Sequence, residues 1–431
     1  NSRSQISSNS LCKLKLMNDI SDYIQGELIK TPFNLYNLIA KYIESNNNTK
    51  VAFVGGYLRD LLISKFHKKS FSKPVDIDLV IEGSSISLAK FIKKNIVNVD
   101  LCLIKEFNLY NTVEININDY KIDIASARKE IYSAPGLNPT VNKSTIEEDL
   151  KRRDFTINSI AFEVSTRKIY DLYGGISDIK SKRLNLLHSN SISDDPSRLI
   201  RCAKYASRLD FNISNNSLKQ SQETVRQWPW KSSETHQKMI YPPALGIRIR
   251  MELAEICKHD NLTNVISIIH KWEIISILNE NIKVDKRFLR GLNWIKKLKG
   301  NHMLYLLKDS EDLEKACQRF LVNNSEIKIL EDYLNIKKIL NTNQKNFNHF
   351  SPSSWTEFIE DRNLNDETVK LLICDGGPYW RKLFKWLFIY KFIKSKKDGE
   401  TLKKEGWDPG KEMGKEIKRL RYLEIDKLNR N

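Results

Sequence analysis

Long apolar runs are missing from this 431-residue chain: none approaches the roughly 20 residues that a membrane-spanning helix needs. Paired cysteines are missing too. Cys12, Cys102, Cys202, Cys257, Cys317 and Cys374 are widely scattered and none forms a Cys-x-x-Cys pair, so neither zinc nor a disulfide framework is signalled. Such usage fits a reducing compartment, and a cytoplasmic location without membrane attachment is expected. The first nine residues are polar and hold no apolar segment of the secretory type. Acidic residues are in deficit: 53 Asp and Glu face 71 Lys and Arg, a net charge of +18. That imbalance favours a polyanionic partner, most simply nucleic acid. Histidines are few and scattered, so His259-Asp260 lacks the companions at helical spacing that a His-Asp metal site needs. No internal repeat is present.

What remains is ordinary globular material, 40% hydrophobic and 29% charged, with enough length for two or three domains. Residues 1–10 read as a flexible polar lead. Residues 11–43 read as one or two helices, with Leu16, Ile20, Tyr23 and Ile24 at helical spacing. From 50 to 162 short strands alternate with helices, the strands being predicted over 51–54, 75–81, 99–103, 112–117, 121–125 and 159–164. After Asp178 strand signals fade. A helix is predicted over 196–209, an aromatic, proline-bearing connector over 227–243, and helices from Ala244 onward, with breaks near 341–354 and 375–378. Trp380-Arg381-Lys382-Leu383-Phe384-Lys385-Trp386 interleaves cations with aromatics. It reads first as an amphipathic helix with an aromatic core face, and second as a helix whose lysines contact RNA.

Two strings carry the chemistry. The apolar run Val51-Ala52-Phe53-Val54 ends in Gly55-Gly56 before a short helical pattern, and a double glycine at a helix N-terminus lets backbone N–H groups approach a phosphate. The strand predicted over 75–81 holds Asp76 and Asp78 at alternate positions. They therefore face one way, as paired carboxylates that hold a divalent metal do. Either feature alone is usually structural. About twenty residues apart in one strand-helix-strand pattern, they point to chemistry on a nucleoside triphosphate. Asp123, between Ile122 and Ile124 on a neighbouring predicted strand, is either a third active-site carboxylate or a structural hydrogen-bonding residue.

Two later strings extend the site. In Arg152-Arg153-Asp154-Phe155-Thr156-Ile157-Asn158, Arg153 offers a fixed fork of donors to a triphosphate, and Asp154 orients that fork or contacts the sugar. In Asp194-Asp195-Pro196-Ser197-Arg198, an aspartate and a proline suit a helix start. Arg198, Arg201 and Lys204 follow at intervals of three and share a face. Asp195 accepts from an exocyclic amine and Arg198 donates to a ring acceptor, a pairing that suits C and A and rejects U and G. Residues 130–147 include a Ser133-to-Pro139 loop that reads either as a mobile element or as an exposed turn.

These strings, with Asp171-Leu172-Tyr173-Gly174-Gly175 and the tail Gly406-Trp407-Asp408-Pro409-Gly410, resemble the class II tRNA nucleotidyltransferases. That CCA-adding family shares its head with bacterial poly(A) polymerases in the polymerase β superfamily. The likeness is dense over 51–211 and thin from there to Gly406. It implies an α+β fold, a nucleotidyltransferase head with a mixed sheet followed by an all-α neck, body and tail. The implied divisions are an extension over 1–30, the head over 31–165, a base-reading neck over 166–255, and a tRNA-binding body and tail over 256–431. The implied reaction adds C and/or A to the tRNA 3′ end from CTP and ATP. Asp76 and Asp78 would bind two magnesium ions that activate the RNA 3′-hydroxyl for attack on the α-phosphorus, releasing pyrophosphate. Gly55, Gly56 and Arg59 would hold the triphosphate with Arg153 nearby, Asp154 would sit by the ribose, and Asp195 and Arg198 would read the base with support from Arg201 and Lys204. The chain departs from the family pattern at Ser64, Asp194 and Lys204, where glycine, glutamate and arginine are usual. These departures leave open whether CC, A or the full triplet is added. A poly(A) polymerase with the same head, or a non-catalytic RNA-binding relative, are the alternatives.

Overall fold

In a computed structural model of the chain, the described residues are 2–46, 49–68, 76–96, 102–107, 110–133, 136–227, 243–279 and 282–428. They divide into two units, Asn1–Trp228 and Pro229–Asn431. The expected connector over 227–243 lies, but for its two ends, outside the described residues.

The first unit runs α1 (Ser2–Leu28), α2 (Leu35–Ser45), β1 (Lys50–Val54), α3 (Gly55–His67), β2 (Asp76–Glu82), α4 (Ser85–Asn95), β3 (Cys102–Phe107), β4 (Thr112–Ile117) and β5 (Tyr120–Ser126). It continues with β6 (Arg128–Ile131), β7 (Thr140–Lys143), α5 (Ile146–Lys151), β8 (Ala161–Glu163), β9 (Ile169–Tyr170), α6 (Gly175–Lys180), β10 (Arg183–Leu184), α7 (Ser191–Asp194), α8 (Ser197–Leu209), β11 (Asn212–Ile213) and α9 (Asn215–Gln227). Seven strands form a mixed sheet in the order β3-β4-β5-β2-β1-β8-β9. Strands β2 and β5 pair in parallel and the other neighbours antiparallel. With the helical second unit, this is the expected α+β class.

Alternation along the strands sorts the two sheet faces. On one face Phe53 of β1 stacks with Tyr36 of α2, ring centroids 6.4 Å apart, and Tyr42 of α2 meets Phe91 of α4. On the other, Ala52, Val54, Val80 and Ala161 pack under Ile146 and Leu150 of α5. Val80 shares its face with Asp76 and Asp78, which lie at the start of β2. The same face is thus apolar core at one end of β2 and acidic at the other.

Three expectations for this unit change. Residues 2–10 belong to α1 rather than to an irregular lead. The end of α1 fully buries Ile20, Ile24 and Leu28, and helix propagates cheaply from an anchored segment. The 130–147 stretch is largely a β-hairpin, β6 pairing β7 from Arg128↔Lys143 to Ile131↔Thr140, with residues 134 and 135 outside the description. Strand β3 starts at Cys102 and runs to Phe107; 99–101 of the predicted strand lie outside the described residues.

Among the described residues the second unit is helical, from Pro243–His259 to Lys411–Lys427. Trp355, Tyr305, Tyr333 and Phe320 fill its interior. The helix Asn324–Thr342 opens with a reciprocal capping box between Asn323 and Glu326. Asp366–Asp375 ends on Gly376 at φ +69°, a left-handed cap that glycine adopts freely. The helix Trp380–Phe388 buries Leu383, Trp386 and Leu387, but Phe388 is exposed. Its aromatics are therefore divided between core and surface, not gathered on a core face.

Candidate active site

The site begins where β1 turns into α3. Gly55 has φ +69°, and a Cβ there would stand 2.5 Å from Asp78 Oδ2. Both the backbone conformation and the close approach call for glycine. The Gly56 N–H donates to Asp78 Oδ2 at 3.2 Å. The first turn of α3, whose N–H groups have no acceptor within the helix and carry partial positive charge, therefore points at the β2 carboxylates. Asp76 is exposed on the same strand face and Asp78 is half-buried.

The parallel register of β2 and β5 sets Asp123 directly beside Asp78, and the antiparallel register of β4 and β5 sets Glu114 beside Asp123. Three neighbouring strands thus place carboxylates in a row. Burial pushes the Asp78 carboxyl up; Arg153 and the Gly56 N–H pull it back, and Asp76 adds to the rise. Burial also raises Asp123, opposed by Lys121 and reinforced by Asp78 and Glu114. Lys121 Nζ donates to Asp123 Oδ2 at 2.8 Å. Glu114, bonded by Asn116 and paired with Lys105 and Lys121, is instead held below the usual range, so desolvation and repulsion weigh on Asp78 and Asp123, a condition that a bound cation relieves.

Arg153 is set by α5. Asp149, fully buried, accepts from Arg153 through Oδ2 at 3.0 Å and from Arg152 through Oδ1 at 2.6 Å. Burial alone would raise the Asp149 carboxyl, but Arg153 and Arg152 hold it below the usual aspartate range. The Arg153 Nε is buried without a partner, so one face of its fork is available to a ligand.

Asn158 joins the two ends of the site. Its Oδ1 accepts from Arg59 at 2.9 Å and its Nδ2 donates to Asp154 at 3.0 Å. Arg59 is 4% exposed, paired through Nε with Asp60 at 2.8 Å and lying over the Tyr205 ring at 4.9 Å. Asp154 continues the chain to Arg201 at 3.5 Å, and Arg201 reaches Asp195 at 3.2 Å. Burial works against the Asp154 carboxylate, yet Arg201 and Asn158 hold its pKa down. A continuous polar path runs from the glycine turn to the start of α8.

The head of α8 differs from a simple Asp195–Arg198 pair. Asp195 Oδ1 accepts from the Ser197 N–H at 3.1 Å and hydroxyl at 2.6 Å, which caps the helix, while Oδ2 takes Arg201. Arg198, 4% exposed, donates to the Ser191 carbonyl and hydroxyl and, at 2.9 Å, to the Arg152 carbonyl. Its Nε is buried without a partner. The contact partner of Asp195 is thus Arg201, and Arg198 ties α8 to the end of α5. Lys204 is half-buried, with no ion pair among the described residues. Asp149, Asn158 and Tyr205 were not singled out from sequence. Only the i, i+3 and i+4 spacing of Asp149 to its two arginines signalled any of them.

A family model described as the poly A polymerase head domain matches residues 51–185. Those residues run from β1 to just past β10 and take in the polar path as far as Asp154 and Asn158, but not Asp195 or Arg201 of its far end. Over those residues the chain carries a poly A polymerase head domain. It is 27% identical over 394 residues to the A-adding tRNA nucleotidyltransferase of Aquifex aeolicus, a match covering 87% of this chain and 45% of that protein. The chain thus spans less than half the length of that curated relative. Among solved structures it resembles a CCA-adding enzyme in apo form, with 23% identity, a TM-score of 0.72, and 93% and 94% of the two chains covered. It also resembles the Thermotoga maritima CCA-adding enzyme complexed with tRNA, with 23% identity, a TM-score of 0.66, and 91% of each chain covered. These structural likenesses establish the shared fold.

Proposed function

We propose that this chain is an RNA nucleotidyltransferase that adds C and/or A to tRNA 3′ ends, using CTP and ATP. The observation that carries the reading is the junction of two carboxylates on one strand face with the glycine-led N-terminus of α3. The tRNA nucleotidyltransferase of Aquifex aeolicus and the tRNA complex of the Thermotoga maritima enzyme support the substrate class.

The donor set fits a hard dication. Asp76 and Asp78 offer only oxygen, and magnesium is commonly held by one or two carboxylates plus substrate phosphates. A metal held by these two side chains would leave positions for substrate oxygens and water. Asp76 and Asp78 would hold magnesium, two ions being implied by the family, which when bound neutralises the triphosphate and acidifies the RNA 3′-hydroxyl.

The remaining work falls to this chain's own groups. The Gly55-Gly56 turn and the α3 N-terminus receive the triphosphate, and Arg153, braced by Asp149, faces the same charge. Arg59, held by Asp60 and Asn158, lies close to Gly56 and adds its charge at the turn. Asp154 and Asp195 present carboxylate oxygens to ribose and base, and Arg198 presents its buried Nε. The head over 31–165 would be catalytic, 166–255 would read the base, and 256–431 would hold the tRNA.

The test is incorporation by the purified chain of each nucleoside triphosphate, alone and in pairs, into tRNA lacking its terminal triplet. Addition limited to C and A positions supports the reading. Long runs of A on any RNA would assign poly(A) polymerase activity instead, and no incorporation with magnesium present would leave an RNA-binding protein of the same fold.

A further inference from the structure

In the second unit the helix Lys286–Lys297 carries Lys286, Arg287, Arg290, Lys296 and Lys297 and no carboxylate. The helix Trp380–Phe388 carries Arg381, Lys382 and Lys385 and no carboxylate. The two meet through aromatic rings. Trp294 lies 6.5 Å from Trp380 and 6.2 Å from Phe384, and Phe384 lies 4.7 Å from Phe388. Positions 380, 384 and 388 are successive i+4 neighbours on one helix face, and Trp294 links the rings of Trp380 and Phe384 into one ladder with Phe388. Trp294, Trp380 and Phe384 are half-buried and Phe388 is 47% exposed. The helix's buried contacts go to Leu383, Trp386 and Leu387 instead.

Cations frame the ladder. Arg290 and Lys297 lie at i−4 and i+3 from Trp294 and share its face. Lys297 Nζ stands 5.4 Å over the Trp294 ring and the Arg381 guanidinium 4.9 Å over that of Trp380. A half-exposed ladder of flat rings serves stacking better than it serves aliphatic packing. Cations on both helices, neither of which carries a carboxylate of its own, favour a polyanion over a second copy of this basic chain, even though Arg287 is already paired with Asp375 at 3.4 Å.

We propose that this aromatic ladder binds unpaired RNA nucleotides by base stacking, with Arg290, Lys297 and Arg381 holding the phosphates between them. The proposal rests on the RNA nucleotidyltransferase reading for its partner class, but it concerns how the second unit grips RNA and not what the head does to it. Stacked bases are recognised without regard to sequence, because every base has a π-face. Single strands and loops are therefore the expected ligands, and continuous duplex, whose bases are already stacked, is not.

The test compares the full chain with Phe388→Ala, Phe384→Ala and an Arg290→Gln/Lys297→Gln double variant. Binding is measured to a short oligoadenylate and to a duplex RNA of equal length across a salt series. Each aromatic variant should weaken oligoadenylate binding about tenfold, within the range of a lost stacking contact. It should leave duplex binding and the salt slope unchanged. The cation variant should instead flatten the slope, by about 0.7 per lost phosphate contact. Parental oligoadenylate affinity in both aromatic variants overturns the proposal, as does an equal loss on duplex. Sedimentation of the parent supplies a further test: dimers that dissociate in Phe388→Ala with RNA binding intact would assign the ladder to self-association. Phe388 is exposed, so its variant tests the idea even if Phe384→Ala fails to fold. Nucleotide incorporation by the parent is scored separately. Its failure alongside stacking-dependent binding would sink the catalytic reading and leave this one standing.

Discussion

Gly55 is held by two independent constraints, a φ of +69° and a clearance of 2.5 Å between its would-be Cβ and Asp78 Oδ2. A left-handed alanine costs roughly 1–2 kcal/mol on backbone grounds alone. Gly55→Ala should lose about that much stability and, by displacing Asp78, far more incorporation activity. Gly56→Ala is the control: its Cβ meets Arg59 at 3.5 Å, an ordinary contact, and should be milder in melting temperature. Asp149 makes a second prediction. Its carboxyl lies below the unfolded value because Arg153 and Arg152 outweigh burial, so its ionised form stabilises the fold at neutral pH. That contribution is complete above the unfolded value and is lost as pH falls through the folded one. Asp149→Asn should cost about 3 kcal/mol near pH 7 by leaving two arginines short of charge. The gap in melting temperature between variant and parent should close below about pH 4. A gap that persists undiminished in acid would mean that packing, not the ion pairs, sets the loss.

Helix α8 tests the scale of elements. Asp195 both caps the helix through Ser197 and fixes Arg201. Asp195→Ala should cost about 1 kcal/mol for the lost cap. On the proposed reading it also narrows the preference for CTP and ATP over UTP and GTP, measured as kcat/KM for all four. A loss of stability with the parental ranking kept would confine Asp195 to capping. Elements of this kind were unequally legible in the sequence. Alternation placed Asp76 and Asp78 on one face of β2, and the glycine pair marked the entry to α3, because both are local patterns. The position of Asp123 beside Asp78 was legible only as one of two readings, since a parallel register joins strands more than forty residues apart and no local pattern fixes it. Nor was the role of Asn158, which joins Asp154, four residues before it, to Arg59, ninety-nine residues before it. Arg198 was expected to face a base beside Asp195; the bond of its guanidinium to the Arg152 carbonyl was not legible, being a contact set by tertiary packing. The 130–147 stretch carried turn residues that hid the β6–β7 pairing.

At the scale of the whole molecule, the excess of 18 positive charges and the change from sheet to helix near the middle of the chain were readable from composition and periodicity. The division of the aromatics of Trp380–Phe388 between core and surface was not, because it depends on which neighbours the helix meets. The central claim is narrower than the architecture: the β2 carboxylates beside the α3 N-terminus carry out nucleotidyl transfer. Its most direct test is magnesium-dependent incorporation of CTP and ATP into tRNA lacking its 3′ triplet by Asp76→Asn and Asp78→Asn, with tRNA affinity measured in parallel. Asparagine keeps the size of the side chain and an acceptor for the Gly56 N–H while removing the charge. The account predicts incorporation at background in both variants with tRNA affinity close to the parent's. Near-parental turnover in either variant would contradict it.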